Sequence, residues 1–473
     1  MEPFIHLHTH SHYSLLEGLA KIDELVDRAK EFEMPALALT ENGNMYSTIE
    51  FYKKCKDSGI KPIIGLDAFV ATRTRFDKDS KEDTRRHRLT LLAKNEVGYK
   101  NLIKLVTLSN LEGFYYKPRV DKELLRAHSE GLICLSGGPG GELSKTVIID
   151  KNRAAEVVRE HQDIFGKENY FIEIVAQVAY DNAKPIRDGL IALAKELDVP
   201  LVGTQNVYYL NPDDRDAHEV LVGIQNEGRE NKYGFGKDDY SFIDTKTANN
   251  YFRDIPEAVA NTRKVAEMCN LEIELGKWVF PNIDIPEGKT ADDELRRIVF
   301  EGFARRGVEK TESALTRVEY ELSVIKQKGY SPYFLVVADL LHYARTHGIL
   351  SNIRGSVSGS MVTYLSGITN IDPIEFQIPF ERFLNPERPS APDIDMDYAD
   401  DRRDEMIEYS RKKYGADKVA QIGTFGTMAA RGSVRDVARA MKYEYAVGDK
   451  ISKLIPMGSQ GFPMTIEHAL ETT

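Results

Sequence analysis

Residues 392–397 read Pro-Asp-Ile-Asp-Met-Asp, with a carboxylate at every second position. In a β-strand, alternate side chains point to opposite faces, so Asp393, Asp395 and Asp397 would share one face and the apolar residues the other. Carboxylates on one face repel unless cations neutralise them, and Mg²⁺ prefers oxygen ligands. The stretch therefore predicts a divalent-metal site suited to phosphoryl transfer, with a solvated acidic edge as the alternative.

A loop rich in glycine and serine precedes this stretch. Residues 354–360 read Arg-Gly-Ser-Val-Ser-Gly-Ser and run into a segment that can start a helix. Small residues let a backbone approach a ligand, and the free N–H groups of a first helical turn, capped by Ser358 or Ser360, form an anion site. Arg354 adds a cation with forked donors. With the acidic stretch downstream, the loop predicts phosphate binding; a plain connecting loop is the alternative.

Composition limits the class of protein. The chain has 473 residues, enough for two to four domains, and no apolar run reaches the roughly 18 residues of a membrane span. Its start lacks a signal peptide, and only three cysteines occur, which favours a cytoplasmic protein. The net charge of −11 argues against bulk capture of nucleic acid, so any DNA contact is expected to be local.

Residues 1–210 alternate apolar strand-like runs with amphipathic helices, which predicts an α/β fold with a (β/α)7-like barrel of parallel strands. The strand-like runs are 4–8, 36–40, 62–71, 89–93, 132–136, 170–175 and 200–203. The helix-like runs include 22–32, 99–109, 152–165, 182–197, 292–306 and 311–328.

Three further segments follow the predicted barrel. Residues 211–290 are polar and irregular, with breakers at 231–236 and 254–256 around a helix predicted near 257–269, and are predicted to connect domains. Residues 291–426 are predicted as a mixed α+β domain that begins with helices and contains the loop and the acidic strand. Residues 427–473 are predicted as helical segments rich in arginine and lysine.

Four histidines, His6, His8, His10 and His12, alternate at the end of the first predicted strand. Neutral imidazoles on one strand face at a barrel mouth predict a metal site, provided that other strands supply further ligands. A histidine-rich surface turn is the alternative.

Arg431, Arg435 and Arg439 recur at every fourth residue of a predicted helix. Their guanidinium groups would share one face and could bind the backbone of a DNA duplex. A solvated helix face paired with acids is the alternative.

Several longer motifs resemble one family. The first four resemble the PHP (polymerase and histidinol phosphatase) domain that opens the bacterial replicative, C-family DNA polymerase III alpha subunits, and the last four resemble that family's palm and the start of its thumb. The motifs span 6–10, 14–19, 91–99 and 216–221, then 329–337, 380–388, 392–397 and 423–430.

The resemblance implies a palm of the polymerase-beta-like nucleotidyltransferase type. It implies that Asp395 and Asp397 are two of three catalytic carboxylates that hold Mg²⁺, with Asp393 a neighbour. The implied reaction is attack of a primer 3′-hydroxyl on the α-phosphate of a deoxynucleoside triphosphate. The residues implied to line the triphosphate site are Arg354, Gly355, Ser356, Gly359 and Ser360.

The chain departs from the family at the PHP metal site, where the family's ligands are mostly replaced. The replacements are Glu41, Asn42, Asp67, Arg88, Gly138, Asn206 and Tyr208. Arginine, glycine, asparagine and tyrosine are poor metal ligands, so His6 and His8 are expected to have too few partners. We predict a vestigial, structural barrel without Zn or Mn.

The palm departs too. Ile353 stands before Arg354 where the family has glycine, and the chain ends at Thr473, before the family's third catalytic aspartate, fingers and clamp-binding segments. We expect that this polypeptide alone does not polymerise DNA. The implied partners are primer-template DNA, deoxynucleoside triphosphates, the sliding clamp, the clamp loader and a separate C-terminal half. The alternatives are a PHP phosphoesterase or 3′-5′ exonuclease, and a non-catalytic DNA-binding fragment.

Overall fold

The computed structural model describes residues 3–225, 238–388, 392–458 and 464–472. They form two compact units, one of residues up to 274 together with those from 427 onward, and one of residues 275–426. Within these ranges no helix has both the length and the apolar character needed to cross a membrane. The predicted breaker at 231–236 lies outside the described residues.

A sheet of seven strands lies at the centre of the first unit. Its hydrogen-bonded order is β1-β2-β3-β5-β6-β7, with β4 beside β2. The strands are β1 (Ala36–Asn42), β2 (Lys61–Ala71), β3 (Arg86–Ala93), β4 (Arg119–Val120), β5 (Leu132–Leu135), β6 (Tyr170–Val175) and β7 (Leu201–Thr204).

The strands do not all run parallel. β1 with β2, β5 with β6, and β6 with β7 pair in parallel, but β3 is antiparallel to both of its neighbours, β2 and β5. Residues 72–85, which join β2 to β3, contain no helix. A direct return of this kind gives an antiparallel pair, whereas a parallel pair needs a crossover. The prediction of parallel strands throughout is therefore wrong at β3.

The first predicted strand, 4–8, is not a regular strand. Its backbone nevertheless bonds to both ends of the sheet: the His6 carbonyl accepts from the Ala38 N–H over 2.9 Å, and the His8 carbonyl accepts from the Val207 N–H over 3.1 Å. Ala38 lies in β1 and Val207 follows β7. The segment therefore bridges the two edges, and the sheet curls into a barrel-like wall.

Ten helices surround the described part of this wall before residue 275. Polar side chains cap several of their starts; Asp150, for example, accepts from the N–H groups of Asn152 and Arg153. The helices are α1 (Ile22–Glu31), α2 (Thr48–Ser58), α3 (Glu96–Leu111), α4 (Lys122–Ala127), α5 (Glu142–Thr146), α6 (Lys151–Phe165), α7 (Ala183–Leu197), α8 (Arg215–Gln225), α9 (Thr245–Tyr251) and α10 (Pro256–Met268).

The segment predicted as a connection contains the helix predicted near 257–269, which is α10, and two further helices that were not predicted. Residues 211–274 contain α8, α9 and α10 and belong to the first unit. The Asn261 amide on α10 donates to the Leu201 carbonyl of β7 over 2.7 Å, and Val265 and Ala266 are buried beside the sheet. Polar spacing in this segment therefore marks amphipathic helices rather than a linker.

The second unit is mostly helical around a two-stranded ribbon. Gly302 lets two of its helices approach closely, because a Cβ there would lie 2.1 Å from the Leu365 carbonyl oxygen. The elements are α11 (Ala291–Arg306), α12 (Glu312–Gln327), α13 (Ser331–Thr346), β8 (Ser351–Arg354), α14 (Met361–Ser366), β9 (Asp395–Tyr398) and α15 (Arg403–Tyr414).

β8 and β9 pair antiparallel, with Arg354 opposite Asp395 and Ile353 opposite Met396. Ile353 and Met396 pack against the core of this unit, whereas Arg354 and Asp395 are exposed. The ribbon therefore has an apolar inner face and a charged outer face.

Three further helices are described after residue 427: α16 (Ala430–Ala440), α17 (Tyr445–Leu454) and α18 (Ile466–Thr472). The backbone of Gly448 on α17 lies against α16, since a Cβ at that position would be 2.8 Å from the Ala438 Cβ. The predicted helical character of this segment agrees with these elements.

Candidate active site and barrel pocket

The acidic stretch has the alternating burial that its spacing predicts. Asp393 and Asp395 are exposed, Ile394 is buried, and Asp397 is half-buried on the same outer face as Asp395. Two carboxylates therefore face outward from one four-residue strand.

Arg354 forms a forked ion pair with Asp397. Its Nε donates to Oδ2 over 2.6 Å and its Nη2 donates to Oδ1 over 3.0 Å. Hydrogen bonds and charge from Arg354 lower the pKa of Asp397, and the same contacts raise the pKa of Arg354. The pair keeps Asp397 ionised and uses both of its oxygens.

The donor set suits Mg²⁺ because both groups are solvent-accessible carboxylates, and Mg²⁺ is held by one or two such groups together with substrate phosphates. Among the described residues, no group of three histidine, cysteine or acidic ligands forms around Asp395 and Asp397. These two carboxylates can hold the ion only with oxygens from elsewhere.

The predicted triphosphate loop divides into an exposed half and a buried half. Arg354, Gly355 and Ser356 are exposed next to the ribbon, whereas Gly359 and Ser360 are buried. Gly355 has φ 94°, a conformation that glycine adopts without strain.

The N-terminus of α14 already holds an anion from within the chain. Ser360 caps it as predicted, accepting from the Thr363 N–H, but the N–H groups of Met361 and Val362 donate to the Glu321 carboxylate over 3.1 and 3.0 Å. The expectation of an open anion site at this turn therefore needs correction. The roles of Gly359 and Ser360 in nucleotide binding stay predictions, whereas Arg354, Gly355 and Ser356 remain accessible.

The barrel contains a buried network of charges. His8 lies between two carboxylates, with Nδ1 2.8 Å from Glu173 and Nε2 3.1 Å from Asp67. Burial opposes the charged form of His8, but these carboxylates outweigh it and raise its pKa to about 9. Arg88 donates to both oxygens of Asp67. Burial by itself raises the pKa of the Asp67 carboxyl, but the charges of Arg88 and His8 lower this pKa by more. The positive charges of His8 and Arg88 thus balance the negative charges of Asp67 and Glu173.

The other histidines have different surroundings. His10 contacts Asn206 through Nε2 at 3.0 Å and stacks on Tyr208, and its pKa is lowered by burial and by the charge of His8. His6 lies away from this network: its Nε2 is 2.9 Å from the Ile243 carbonyl, and burial lowers its pKa to about 4. His6 is therefore not in the group formed by His8, His10 and Asp67, and its place beside His8 in a vestigial site stays a prediction. His12 is exposed.

One set of groups in the barrel could hold an ion, since ligand atoms of His8, His10 and Asp67 lie within 4.8 Å of one another. These atoms already have partners: Asp67 holds Arg88, and His10 faces Asn206. A guanidinium occupies the position next to the carboxylate, so the residues present do not fit the multi-ion site of the PHP family. The absence of metal stays a prediction.

A cavity of about 700 Å³ opens over this network. Its walls include Arg86, Arg88 and Lys117 around the Phe69 ring, with the cations 4.3 to 5.7 Å from the ring centroid. The pocket lies at the carboxyl ends of the parallel strands, where barrel folds place their active sites, and the antiparallel β3 reaches it with its amino end through Arg86 and Arg88.

The arginine stripe on α16 is engaged within the chain. Arg431 donates to the Ser452 carbonyl over 3.2 Å, and Arg435 donates to Asp449 over 2.9 Å, both on α17. Arg439 pairs with Asp436 on its own helix. The three groups share a face, as the spacing predicts, but that face contacts α17; their DNA contact stays a prediction.

Sequence reasoning missed two acids, Glu173 and Glu321, and it named a third, Glu41, without its contacts. Glu173 lies in the apolar strand β6, and an acid in a buried run was an available signal. Glu41 accepts from the hydroxyls of Ser11, Ser14 and Ser47, and no spacing indicates such a cluster. Glu321 reads as an ordinary exposed helical residue because its partners lie about forty residues away.

Two stretches of the chain match two known domain families. Residues 6–177 match the PHP domain, and residues 293–473 match the bacterial DNA polymerase III alpha NTPase domain. The match to the PHP domain, together with the curled sheet of the first unit, confirms the predicted fold class.

The relatives are DNA polymerase III alpha subunits. The chain is 41% identical to that of Aquifex aeolicus over 99% of this chain and 42% of the relative. It is 38% identical to that of Thermus aquaticus over 99% of this chain and 44% of the relative, and 40% identical to that of Borreliella burgdorferi over 96% and 40%. The predicted resemblance is confirmed, and the chain spans about two fifths of the length of these relatives.

Among solved structures, the chain is similar to a protein from Bifidobacterium adolescentis that is named as a putative metal-dependent phosphoesterase. The match covers 53% of this chain and 97% of that protein, with 12% identity and a TM-score of 0.30.

Proposed function

We propose that the chain carries the palm of a DNA-directed DNA polymerase of the DNA polymerase III alpha type. The palm would take part in transfer of deoxynucleotides from their triphosphates to a primer 3′-hydroxyl during replication. The observation that carries this proposal is the outer face of the β8–β9 ribbon, where Arg354, Asp395 and Asp397 stand together beside the exposed Gly355 and Ser356.

Each group has a role in the proposal. Asp395 and Asp397 would hold Mg²⁺, which would polarise the phosphate oxygens. Arg354 would donate its forked N–H groups to the triphosphate, a geometry in which arginine binds phosphate well. The exposed backbone at Gly355 would allow the phosphates to approach closely.

Partners follow from the same proposal. Primer-template DNA and deoxynucleoside triphosphates would be the substrates, and the sliding clamp and the clamp loader would be protein partners. Cys55, Cys134 and Cys269 are buried free thiols, which suits the reducing cytoplasm proposed for the protein.

The direct test is metal binding by the whole chain. Mn²⁺ titrations followed by electron paramagnetic resonance should show one weak site in the wild type, and Asp395→Asn or Asp397→Asn should abolish it. Asp401→Asn removes a nearby exposed carboxylate and should leave binding unchanged. Equal Mn²⁺ binding by the Asp395→Asn/Asp397→Asn double variant would overturn the proposal.

A second candidate, a PHP phosphoesterase or 3′-5′ exonuclease, is favoured by the closeness of His8, His10 and Asp67. The pairing of Arg88 with Asp67 opposes it. Metal-dependent hydrolysis of nitrophenyl phosphate, lost in His8→Asn, would support this candidate. A non-catalytic DNA-binding role would be supported by DNA binding without Mn²⁺ or triphosphate binding.

A further inference from the structure

Glu321 makes four hydrogen bonds at the base of the predicted triphosphate loop. Oε1 accepts from Arg317 Nε over 2.6 Å and from the Met361 N–H over 3.1 Å. Oε2 accepts from Ser360 Oγ over 2.7 Å and from the Val362 N–H over 3.0 Å. The side chain is completely buried, so its carboxylate is fully used within the protein.

Arg317 extends this contact to the loop itself. Its Nη2 donates to the Gly359 carbonyl over 2.9 Å and to the Ile378 carbonyl over 3.2 Å. One arginine thus joins Glu321 on α12 to the end of the turn 356–359. Hydrogen bonds to charged groups are stronger than neutral ones, so the pair restrains the turn more than backbone contacts alone would.

We infer that Glu321, through Arg317 and the first turn of α14, is a positioning residue for triphosphate binding by Arg354, Gly355 and Ser356. The inference rests on the function proposed above. In this inference Glu321 contacts no substrate. Its carboxylate binds the N–H groups of the first turn of α14 and so fixes where the loop joins that helix. The phosphates are then bound by the exposed half of the loop, not by the α14 N-terminus.

The substitution Glu321→Gln isolates this role. Glutamine keeps the volume, but its NH₂ group replaces one acceptor oxygen and would face two donors. Neither Arg317 Nε nor the backbone N–H groups can turn away as a hydroxyl can. The turn should loosen without loss of the surrounding apolar core.

Glu319→Gln provides a matched control on the same helix. Glu319 is half exposed and pairs with Arg296 on α11 over 2.6 Å, away from the loop. Both variants lose one negative charge from α12, so a difference between them reports the contact with the turn rather than the change in charge.

The experiment compares two affinities of the full chain. The Kd for a deoxynucleoside triphosphate, measured by calorimetry with Mg²⁺, should rise about tenfold in Glu321→Gln, which is the loss of one charged hydrogen bond. The Kd for Mn²⁺ without nucleotide should not change, because Asp395 and Asp397 lie on the ribbon. Amide exchange at Met361 and Val362 should become faster, and Glu319→Gln should match the wild type in all three measurements.

The outcomes separate this inference from the proposed function. A wild type that binds triphosphate, with Glu321→Gln binding it equally well, overturns the inference alone. Parallel losses of Mn²⁺ and triphosphate affinity also overturn it, because they would indicate general unfolding. A wild type that binds no triphosphate overturns the proposed function and the inference together.

Discussion

The guanidinium of Arg354 holds both oxygens of Asp397, at 2.6 and 3.0 Å, so a predicted nucleotide-binding cation and a predicted catalytic carboxylate neutralise each other. An ion and this arginine compete for the same carboxylate. A triphosphate would offer Arg354 another anion and release Asp397 to the metal.

This competition predicts opposite effects of Arg354→Gln on two ligands. Mn²⁺ should bind several-fold more tightly without nucleotide, because Asp397 no longer has a competing cation. Triphosphate should bind more weakly, because a forked donor is lost. Paramagnetic resonance and calorimetry measure the two affinities. Weaker Mn²⁺ binding in this variant would contradict the competition.

Removing the partly buried guanidinium of Arg88 should destabilise the first unit. Arg88→Met leaves Asp67 charged and buried beside His8, which should lower the free energy of unfolding by about 3–5 kcal/mol. Urea titration followed by circular dichroism measures the loss. The double variant Arg88→Met/Asp67→Asn should recover much of it, and Arg126→Met, at an exposed pair with Asp163, should have little effect. Equal stability of Arg88→Met and the wild type would exclude the role assigned to Arg88.

Glu41 predicts a pH dependence of stability. Burial raises its pKa from 4.5 to about 7, partly opposed by hydrogen bonds from Ser11, Ser14 and Ser47. Because the folded pKa is the higher one, the stabilisation is complete below pH 4.5 and is lost as the pH rises through 7. Glu41→Gln should flatten the unfolding free energy between these values, whereas the exposed Glu130→Gln should follow the wild type. A slope that survives in Glu41→Gln would assign the effect to another group.

The arginine stripe predicts unequal contributions to DNA binding. Arg435 is tied to Asp449, whereas Arg439 is more exposed and pairs only within α16. If the stripe contacts DNA phosphates, Arg439→Gln should reduce the slope of log affinity against log salt by about 1. Arg435→Gln should change the slope less. Filter binding of duplex DNA from 50 to 200 mM salt, roughly the range in which such contacts are lost, measures both slopes. Unchanged slopes in both variants would remove the stripe from the DNA interface.

Much of the fold was predictable from periodicity. The expected strand at 62–71 is β2 at Lys61–Ala71, and the expected helix at 292–306 is α11 at Ala291–Arg306. Strand direction was not predictable in the same way, because alternation along β3 is identical whichever way the strand runs. The 14 residues between β2 and β3 hold no helix, and this is the local signal that an antiparallel return leaves.

The site was predictable where it depends on one short segment and unpredictable where it depends on contacts distant in sequence. The alternation of Asp395 and Met396 gives the two faces of β9 directly. The Gly/Ser loop predicted the helix cap at Ser360. No residue near the loop, however, indicates that the Glu321 carboxylate binds the N–H groups of the same turn. His6 shares the spacing of His8, yet Ile243, more than two hundred residues away, holds it apart.

The register of β8 with β9 limits how the palm can change. Ile353 and Met396 face inward while Arg354 and Asp395 face outward, so inserting or deleting one residue within either strand would exchange the two faces. Between the two strands, length changes are better tolerated outside the triphosphate loop and α14 than within either strand. Variation in chain length among functional homologues, natural or engineered, is therefore expected to avoid both four-residue strands.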